Sequence, residues 1–199
     1  MLIEETNIPD AVLPVAAFKA HMRMGTGFAE ETLQDAVIAG FLRAAIAAVE
    51  TRTGKALIAR EFTQVVQKSG PVDGVMLGVA PVDEVIEVQS LDRAGAAQVI
   101  DAGAYWLERD AQTPRVRSVA SYFAHLDIGG EVRVRVLAGF GTAWEDVPMD
   151  MGQAVLMLAA HYYEYRHDTA LTNGCMPFGV TSLIERYRSM RLGRSGAQT

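Results

Sequence analysis

The feature that most constrains the fold is a strand with two chemically different faces. Val132, Val134 and Val136 alternate with Arg133 and Arg135, and side chains two residues apart point to the same face of a strand. One face is therefore apolar and the other basic, which is typical of an antiparallel sheet with one buried side. The basic face predicts either an exposed surface or a contact between subunits for Arg133 and Arg135.

A helix follows this strand after a glycine-rich turn. Gly139-Phe140-Gly141 ends the strand, and Pro148 is placed near a first helical turn. A helix over about 150–166 is predicted by apolar residues at alternating spacings of four and three, namely Met151, Val155, Leu158, Tyr162 and Tyr165. A loop with several glycines and prolines then leads to a last amphipathic segment over about 180–190.

The first third of the chain also has helical spacing. Pro14 can open a short helix over 15–24, and a longer one is predicted over 29–51. The apolar stripe of the longer helix comprises Leu33, Val37, Phe41, Ala44 and Ala48. Its many alanines allow another helix to approach on more than one side, so Ala44 and Ala48 are candidates for subunit contact as well as core packing.

The middle of the chain changes to the period of strands. Turn residues separate five runs rich in β-branched and aromatic residues, at 62–66, 85–91, 105–109, 115–119 and 132–136. The predicted fold class is α+β, in which N-terminal and C-terminal helices form a bundle-like layer and a small antiparallel sheet is inserted between them. The predicted divisions are an arm over 1–13, one domain over 14–192 (helices 15–54, β-rich 57–138, helices 148–192) and a flexible tail over 193–199.

Composition restricts the function classes. A chain of 199 residues, half of them hydrophobic, can bury a core, and its one cysteine excludes an internal disulfide framework. A formal net charge of −6 argues against general coating of DNA, which needs clustered cations. No signal peptide or membrane span is recognisable, so we expect a soluble protein made in the cytoplasm.

One pattern on the C-terminal side suggests metal chemistry. Glu164 and His167 are three apart on a predicted helix, and His161 lies one turn before them; such pairs bind metals in helical bundles. Those sites require further carboxylates, which this helix does not supply. We expect no catalytic residue, metal or cofactor, and a small metal-dependent enzyme that uses these three residues is the alternative.

The C-terminal segment is rich in arginine and has few acidic residues. It is either a solvated helix face or a docking segment in which apolar anchors enter a partner while arginines meet its acidic or carbonyl groups. The candidate docking residues are Leu183, Arg186, Tyr187, Arg188, Arg191, Leu192 and Arg194.

Taken in order, the motifs resemble the head–tail connector, or adaptor, proteins of long-tailed phages and gene transfer agents. The resemblance covers about 15–192 and rests on the order and spacing of short motifs, since each alone is weak. They are 48–57 (AVETRTGKAL), 79–88 (VAPVDEVIEV), 105–107 (YWL), 134–141 (VRVLAGFG), 147–148 (VP), 159–166 (AAHYYEYR) and 183–188 (LIERYR). Residues 1–13 do not map onto the family pattern.

The resemblance implies a structural protein at the head–tail interface of a virion or gene transfer agent particle. Its implied partners are other copies of itself in a dodecameric ring, the portal protein above, and a head-completion, stopper or tail protein below. DNA would pass through the channel only as cargo, and a negative net charge suits such a passage because a channel must not hold phosphates tightly. A tail-completion ring is the alternative within the same class.

Overall fold

The computed structural model describes residues 1–24, 31–69, 73–126, 128–166 and 176–188, with side chains omitted at 31–33 and 124–125. This part of the chain forms four α-helices and two antiparallel sheets, which confirms the predicted α+β class. The helices are α1 (Val15–His21), α2 (Glu31–Thr53), α3 (Met149–Glu164) and α4 (Phe178–Ile184). The strands are β1 (Leu2–Glu4), β2 (Arg60–Gln67), β3 (Gly74–Met76), β4 (Val82–Leu91), β5 (Ala97–Val99), β6 (Tyr105–Glu108), β7 (Arg115–Ser118) and β8 (Glu131–Ala138).

The alternating strand predicted at 132–136 is the centre of the larger sheet. Its strand order is β1-β2-β8-β4-β5, so β8 pairs with β2 on one side and β4 on the other. Val132, Val134 and Val136 are buried, whereas Arg133 and Arg135 lie on the exposed face. The two-residue period therefore predicted both the strand and its orientation.

The β region differs from the predicted single sheet. A second sheet of order β3-β7-β6 covers the other side of the same apolar core, which includes Val75, Val116 and Val134. Strand β2 pairs with β8 and not with β3, the next strand in the chain. Strands β3 and β5 were missed because each has only three residues and adjoins a turn, too short to show a period.

The helices enclose a separate apolar core. Its α3 contribution includes Met151, Val155 and Leu158, as the spacing predicted, whereas Tyr165 follows the end of α3 and is exposed. Helix α2 buries residues one position later than the predicted stripe: Ile38, Leu42, Ala45, Ile46 and Val49. Within the predicted stripe, Val37 and Ala44 are exposed, Phe41 and Ala48 are half-buried, and the Leu33 side chain lies outside the described part of the structure. Spacing alone did not identify the inward face because α2 is apolar on several sides.

The first residues are bound to the rest of the fold, which the sequence did not indicate. Strand β1 pairs with the edge of β2, and Ile8 and Leu13 enter the helical core. The predicted arm over 1–13 therefore contributes a short strand and two core side chains. Proline and polar residues interrupt regular structure here, but isolated apolar side chains can still be buried between such interruptions.

A buried arginine joins β1, β2 and α2. The Arg60 side chain is only 6% exposed; it donates to Glu4 at 2.6 Å and to both carboxylate oxygens of Glu50 at 2.9 and 2.7 Å. It also lies over the Phe62 ring at 4.7 Å. Burial opposes the charge, but the hydrogen bonds that Arg60 donates to the two carboxylates, together with their negative charges, outweigh it and raise the pKa of Arg60.

Candidate docking surfaces

The C-terminal segment packs along α3. Gly179, at the start of α4, lies beside Met157, and Tyr187, beyond its end, reaches Asp150, so α4 runs antiparallel to α3. Val180 and Ile184 are completely buried in the helical core. Pulling α4 away would expose both residues to water, at a cost of about 1.5–3 kcal/mol for each side chain.

Asp150 holds the far end of this segment. Its Oδ1 accepts a hydrogen bond from the Tyr187 hydroxyl at 2.8 Å, and its Oδ2 lies 2.7 Å from Nη2 of Arg186. The Arg186 guanidinium also lies 4.7 Å from the centre of the Tyr187 ring. Burial raises the pKa of Tyr187, and its protonated hydroxyl donates to Asp150.

The seven docking candidates therefore fall into different environments. Leu183 and Tyr187 are half-buried against their own helical core, and Arg188 pairs with Glu185 at 3.1 Å. Arg186 pairs with Asp150 but remains largely exposed. The remaining three candidates, Arg191, Leu192 and Arg194, lie outside the described residues.

The two strand arginines lie among carboxylates of the same sheet face. Arg135 is 4.0 Å from Glu61 and 3.8 Å from Glu87, and Arg133 is 3.1 Å from Glu131. Exposed pairs of this kind contribute about 0–1 kcal/mol to stability. Carboxylates on the same face therefore offset the charge of the two arginines. The sequence of β8 alone showed only the arginines.

Helix α2 has a second apolar face that the described residues leave uncovered. Val37, Gly40, Ala44 and Ala47 are exposed, and we call these four residues the α2 outer face. Ala48 differs from Ala44 because it is half-buried against the helical core. Gly40 was not singled out from the sequence, although a glycine inside a predicted helix is a signal that could have identified it.

The three-stranded sheet also has an exposed face with large side chains. In the register, Trp106 lies opposite Arg117, and Met76 and Glu108 lie on either side of Arg115. Trp106 is 50% exposed and Met76 57%. We call these five residues the Trp106 face. Arg117 is fixed across it by Glu108 at 2.7 Å and, beyond the face, by Asp73 at 3.2 Å.

The alternative metal site gains no support from the described geometry. The His161 ring contacts the Tyr165 ring, with centroids 4.7 Å apart and planes tilted by 45°, and Glu164 is exposed. Among the described residues no group of three or more potential ligands is placed to hold a metal, and His167 lies outside them.

The turn after β8 has a structural explanation. Gly139 has a φ of 147°, and a Cβ there would come within 2.4 Å of the Ala59 backbone. It is therefore glycine because the adjoining backbone passes too close for a side chain. No helix in the described part of the chain is long and apolar enough to cross a membrane.

Comparison with solved structures shows close similarity to proteins of gene transfer agent (GTA) particles. A chain in the neck of an empty GTA particle, computed with C6 symmetry, is 43% identical, with a TM-score of 0.83. A chain in the virion of a native GTA particle is 43% identical with a TM-score of 0.80, and one in a native GTA neck computed with C12 symmetry is 40% identical with a TM-score of 0.81. Each match covers 98% of both chains.

No family model and no curated protein matches this chain. The structural matches nevertheless extend over nearly the whole length at 40–43% identity. They confirm the resemblance drawn from the short motifs. The chain belongs to the head–tail connector proteins found in the necks of gene transfer agent particles.

Proposed function

We propose that this protein is an adaptor subunit that forms a ring between the portal and the tail and leaves a channel through which DNA passes. The observation that carries the proposal is the match to neck chains over 98% of both lengths. One of those necks was computed with C12 symmetry, which supports twelve copies as the number in the ring. The portal above and a head-completion, stopper or tail protein below are its proposed neighbours.

A closed ring requires each subunit to present two different surfaces to its two neighbours. The α2 outer face suits one of these roles because it is apolar, lies on a regular helix and is left uncovered by the part of the chain that the structure describes. This supports Ala44 as a subunit-contact residue. Ala48 is less available for a subunit contact, since part of its surface already contacts the helical core. Arg133 and Arg135 are proposed as a secondary contact, in which their existing carboxylate partners compete with any neighbour.

Docking to the portal is assigned to the end of the chain, with a division at Arg188. Val180 and Ile184 bury α4 in the subunit's own core, and Asp150 fixes Tyr187 and Arg186. The segment up to Arg188 therefore serves as a fixed base. Residues after it, including Arg191, Leu192 and Arg194, supply the contacts with the portal, because arginines and an apolar anchor suit a surface of carboxylates and carbonyl groups.

The net charge of −6 supports passage of DNA without tight binding. Phosphates are repelled by a surface of the same sign, and tight binding would require clusters of Lys and Arg. Salt-dependent DNA binding by the assembled ring, with a steep loss between low and high salt, would contradict a passive channel.

The proposal is tested by binding to the portal protein of the same particle. The full chain should co-purify with the portal as a ring visible by electron microscopy, and a truncation after Arg188 should lose portal binding while keeping its thermal unfolding midpoint. A truncation after Gly179 is unsuitable as the main test, because it removes Val180 and Ile184 from the core. A full chain that does not bind the portal but binds a tail component would overturn the adaptor role in favour of a tail-completion ring.

A further inference from the structure

Packing among the described residues does not explain why position 40 is a glycine. It lies inside the 23-residue helix α2, where glycine is less favourable than alanine because it loses more backbone freedom on folding. A Cβ built at Gly40 would meet no atom within 4 Å, so nothing in the described chain requires the absence of a side chain there. A small residue at an open helix position permits another backbone or a bulky side chain to approach closely.

The Trp106 face has the opposite character. It presents two large apolar side chains, Trp106 and Met76, from the two outer strands of a sheet whose middle strand carries Arg115 and Arg117. Tryptophan, methionine and arginine are the residues enriched at the energetic centres of protein interfaces. Because Arg117 is already fixed by Glu108 and Asp73, part of this face is ordered before any partner binds.

We infer that the Trp106 face of one copy packs onto the α2 outer face of the next copy in the ring. This inference rests on the proposed ring and names the surfaces that close it. The occupant is a second copy because the two faces are complementary in size: large side chains on one, and Val37, Gly40, Ala44 and Ala47 on the other. Every subunit carries both faces, so a ring of identical copies contains them in equal number.

The location of the two faces fits a head-to-tail contact. The inner side of α2 packs into the helical core, whereas the inner side of the three-stranded sheet packs into the core between the sheets. The two faces therefore belong to different parts of the subunit and differ in composition. A contact between unlike surfaces propagates around a ring, whereas a contact between two identical patches would stop at a dimer.

Cross-linking of single-cysteine variants tests this pairing. In a Cys175→Ser background, Ala44→Cys and Met76→Cys chains are prepared separately, mixed with portal protein and treated with a short bis-maleimide. We expect a mixed 44–76 dimer. Gln153→Cys replaces Ala44→Cys in the control, because Gln153 is exposed on α3 outside both faces. A ring that gives only 44–44 or 76–76 products, or no product, overturns the inference.

Electron microscopy of the wild-type and Cys175→Ser chains distinguishes a failure to form the ring from a wrong pairing of the two faces. If Cys175→Ser chains form no ring with portal by electron microscopy while the wild-type chain also forms none, the proposed function fails and the pairing fails with it. If the wild-type ring forms and the cross-link pattern is wrong, only the pairing is rejected.

Substitutions at the centre of each face supply a second test. Gly40→Leu places a large side chain into open space, so the isolated subunit should stay folded, with an unchanged or higher thermal midpoint, while ring formation is lost. Gly40→Ala is the matched control and should assemble far better. Trp106→Ala should weaken assembly by about 30-fold, as loss of an interface anchor does, whereas Val99→Ala on the other sheet should have little effect. Normal assembly of folded Gly40→Leu and Trp106→Ala chains would overturn the inference.

Discussion

Helices α2 and α3 are both rich in apolar residues, but they use their surfaces differently. Helix α3 buries Met151, Ala154, Val155, Leu158 and Ala159 and lies against both α2 and α4. Helix α2 buries one face, and its other face leaves Val37 half-exposed and Ala44 and Ala47 in water. Contacts among the described residues thus explain most of the apolar surface of α3 but only one face of α2.

This difference separates residues required for folding from residues available for assembly. Exposed single apolar side chains are normal on protein surfaces, but a continuous small-residue face on a long helix is less easily explained by chance. The comparison therefore predicts that substitutions on α3 reduce stability, whereas those on the α2 outer face leave stability nearly unchanged and alter ring formation.

The largest expected effect is at Leu158 on α3. Leu158→Ala removes a side chain that is 1% exposed in the helical core, and leaves a cavity. We expect a loss of about 2–5 kcal/mol in the free energy of unfolding, measured by urea denaturation. A change below about 1 kcal/mol would show that α3 is not at the centre of the core.

A smaller effect is expected at the N-terminal turn of α3. Asp150→Ala removes the acceptor for Tyr187 and the partner of Arg186, and we expect a loss of about 1–2 kcal/mol because these groups are partly solvated. Portal binding should weaken as well, since the base of the docking segment is loosened. Tyr187→Phe removes one of the two contacts and serves as the matched variant. Unchanged portal binding in Asp150→Ala would contradict the role of this contact in positioning the tail.

At Gly40 on α2 we expect a gain in stability, in contrast to the losses at Leu158 and Asp150. Gly40→Ala should raise the free energy of unfolding by about 0.5–1 kcal/mol, because alanine is the better helix former and its Cβ meets no atom. Thermal denaturation of the isolated subunit measures this change. A destabilised variant would mean that the space around Gly40 is filled by the subunit itself.

The smallest effect on stability is expected at Val37. Val37→Ala removes a side chain that is 51% exposed, so the free energy of unfolding should change by no more than about 0.5 kcal/mol. The concentration needed for ring formation should rise if the α2 outer face is a contact. A stability loss comparable with that of Leu158→Ala would remove the distinction between the two helices.

Sequence periodicity predicted the long regular elements and failed where the pattern was ambiguous. The alternation in β8 and the spacing in α3 identified each element and its buried side, because polar and apolar residues separate clearly there. In α2 the apolar residues surround much of the helix, so the inward face was misplaced by one position. Strands β1 and β3 depend on distant pairing partners, which three-residue segments do not reveal. Strand β5 pairs with the preceding strand β4 but is also too short to show a period.

The docking surfaces were predicted only in part. An excess of arginine identified the C-terminal segment, but Asp150 as the partner of Tyr187 lies 37 residues away in the chain and no local pattern connects them. Trp106 was visible in the sequence as part of a strand, yet its exposure depends on which side of the three-stranded sheet faces the core. Burial of a face is decided by tertiary packing, and periodicity alone does not supply it.

A cryo-electron microscopy reconstruction of the protein bound to its portal tests the central claim most directly. The account predicts a closed ring in which the α2 outer face of each subunit is covered by its neighbour, and in which residues after Arg188 contact the portal. A ring whose α2 outer faces remain in solvent would contradict the proposed subunit contact, and a chain that forms no ring on the portal would contradict the adaptor function itself.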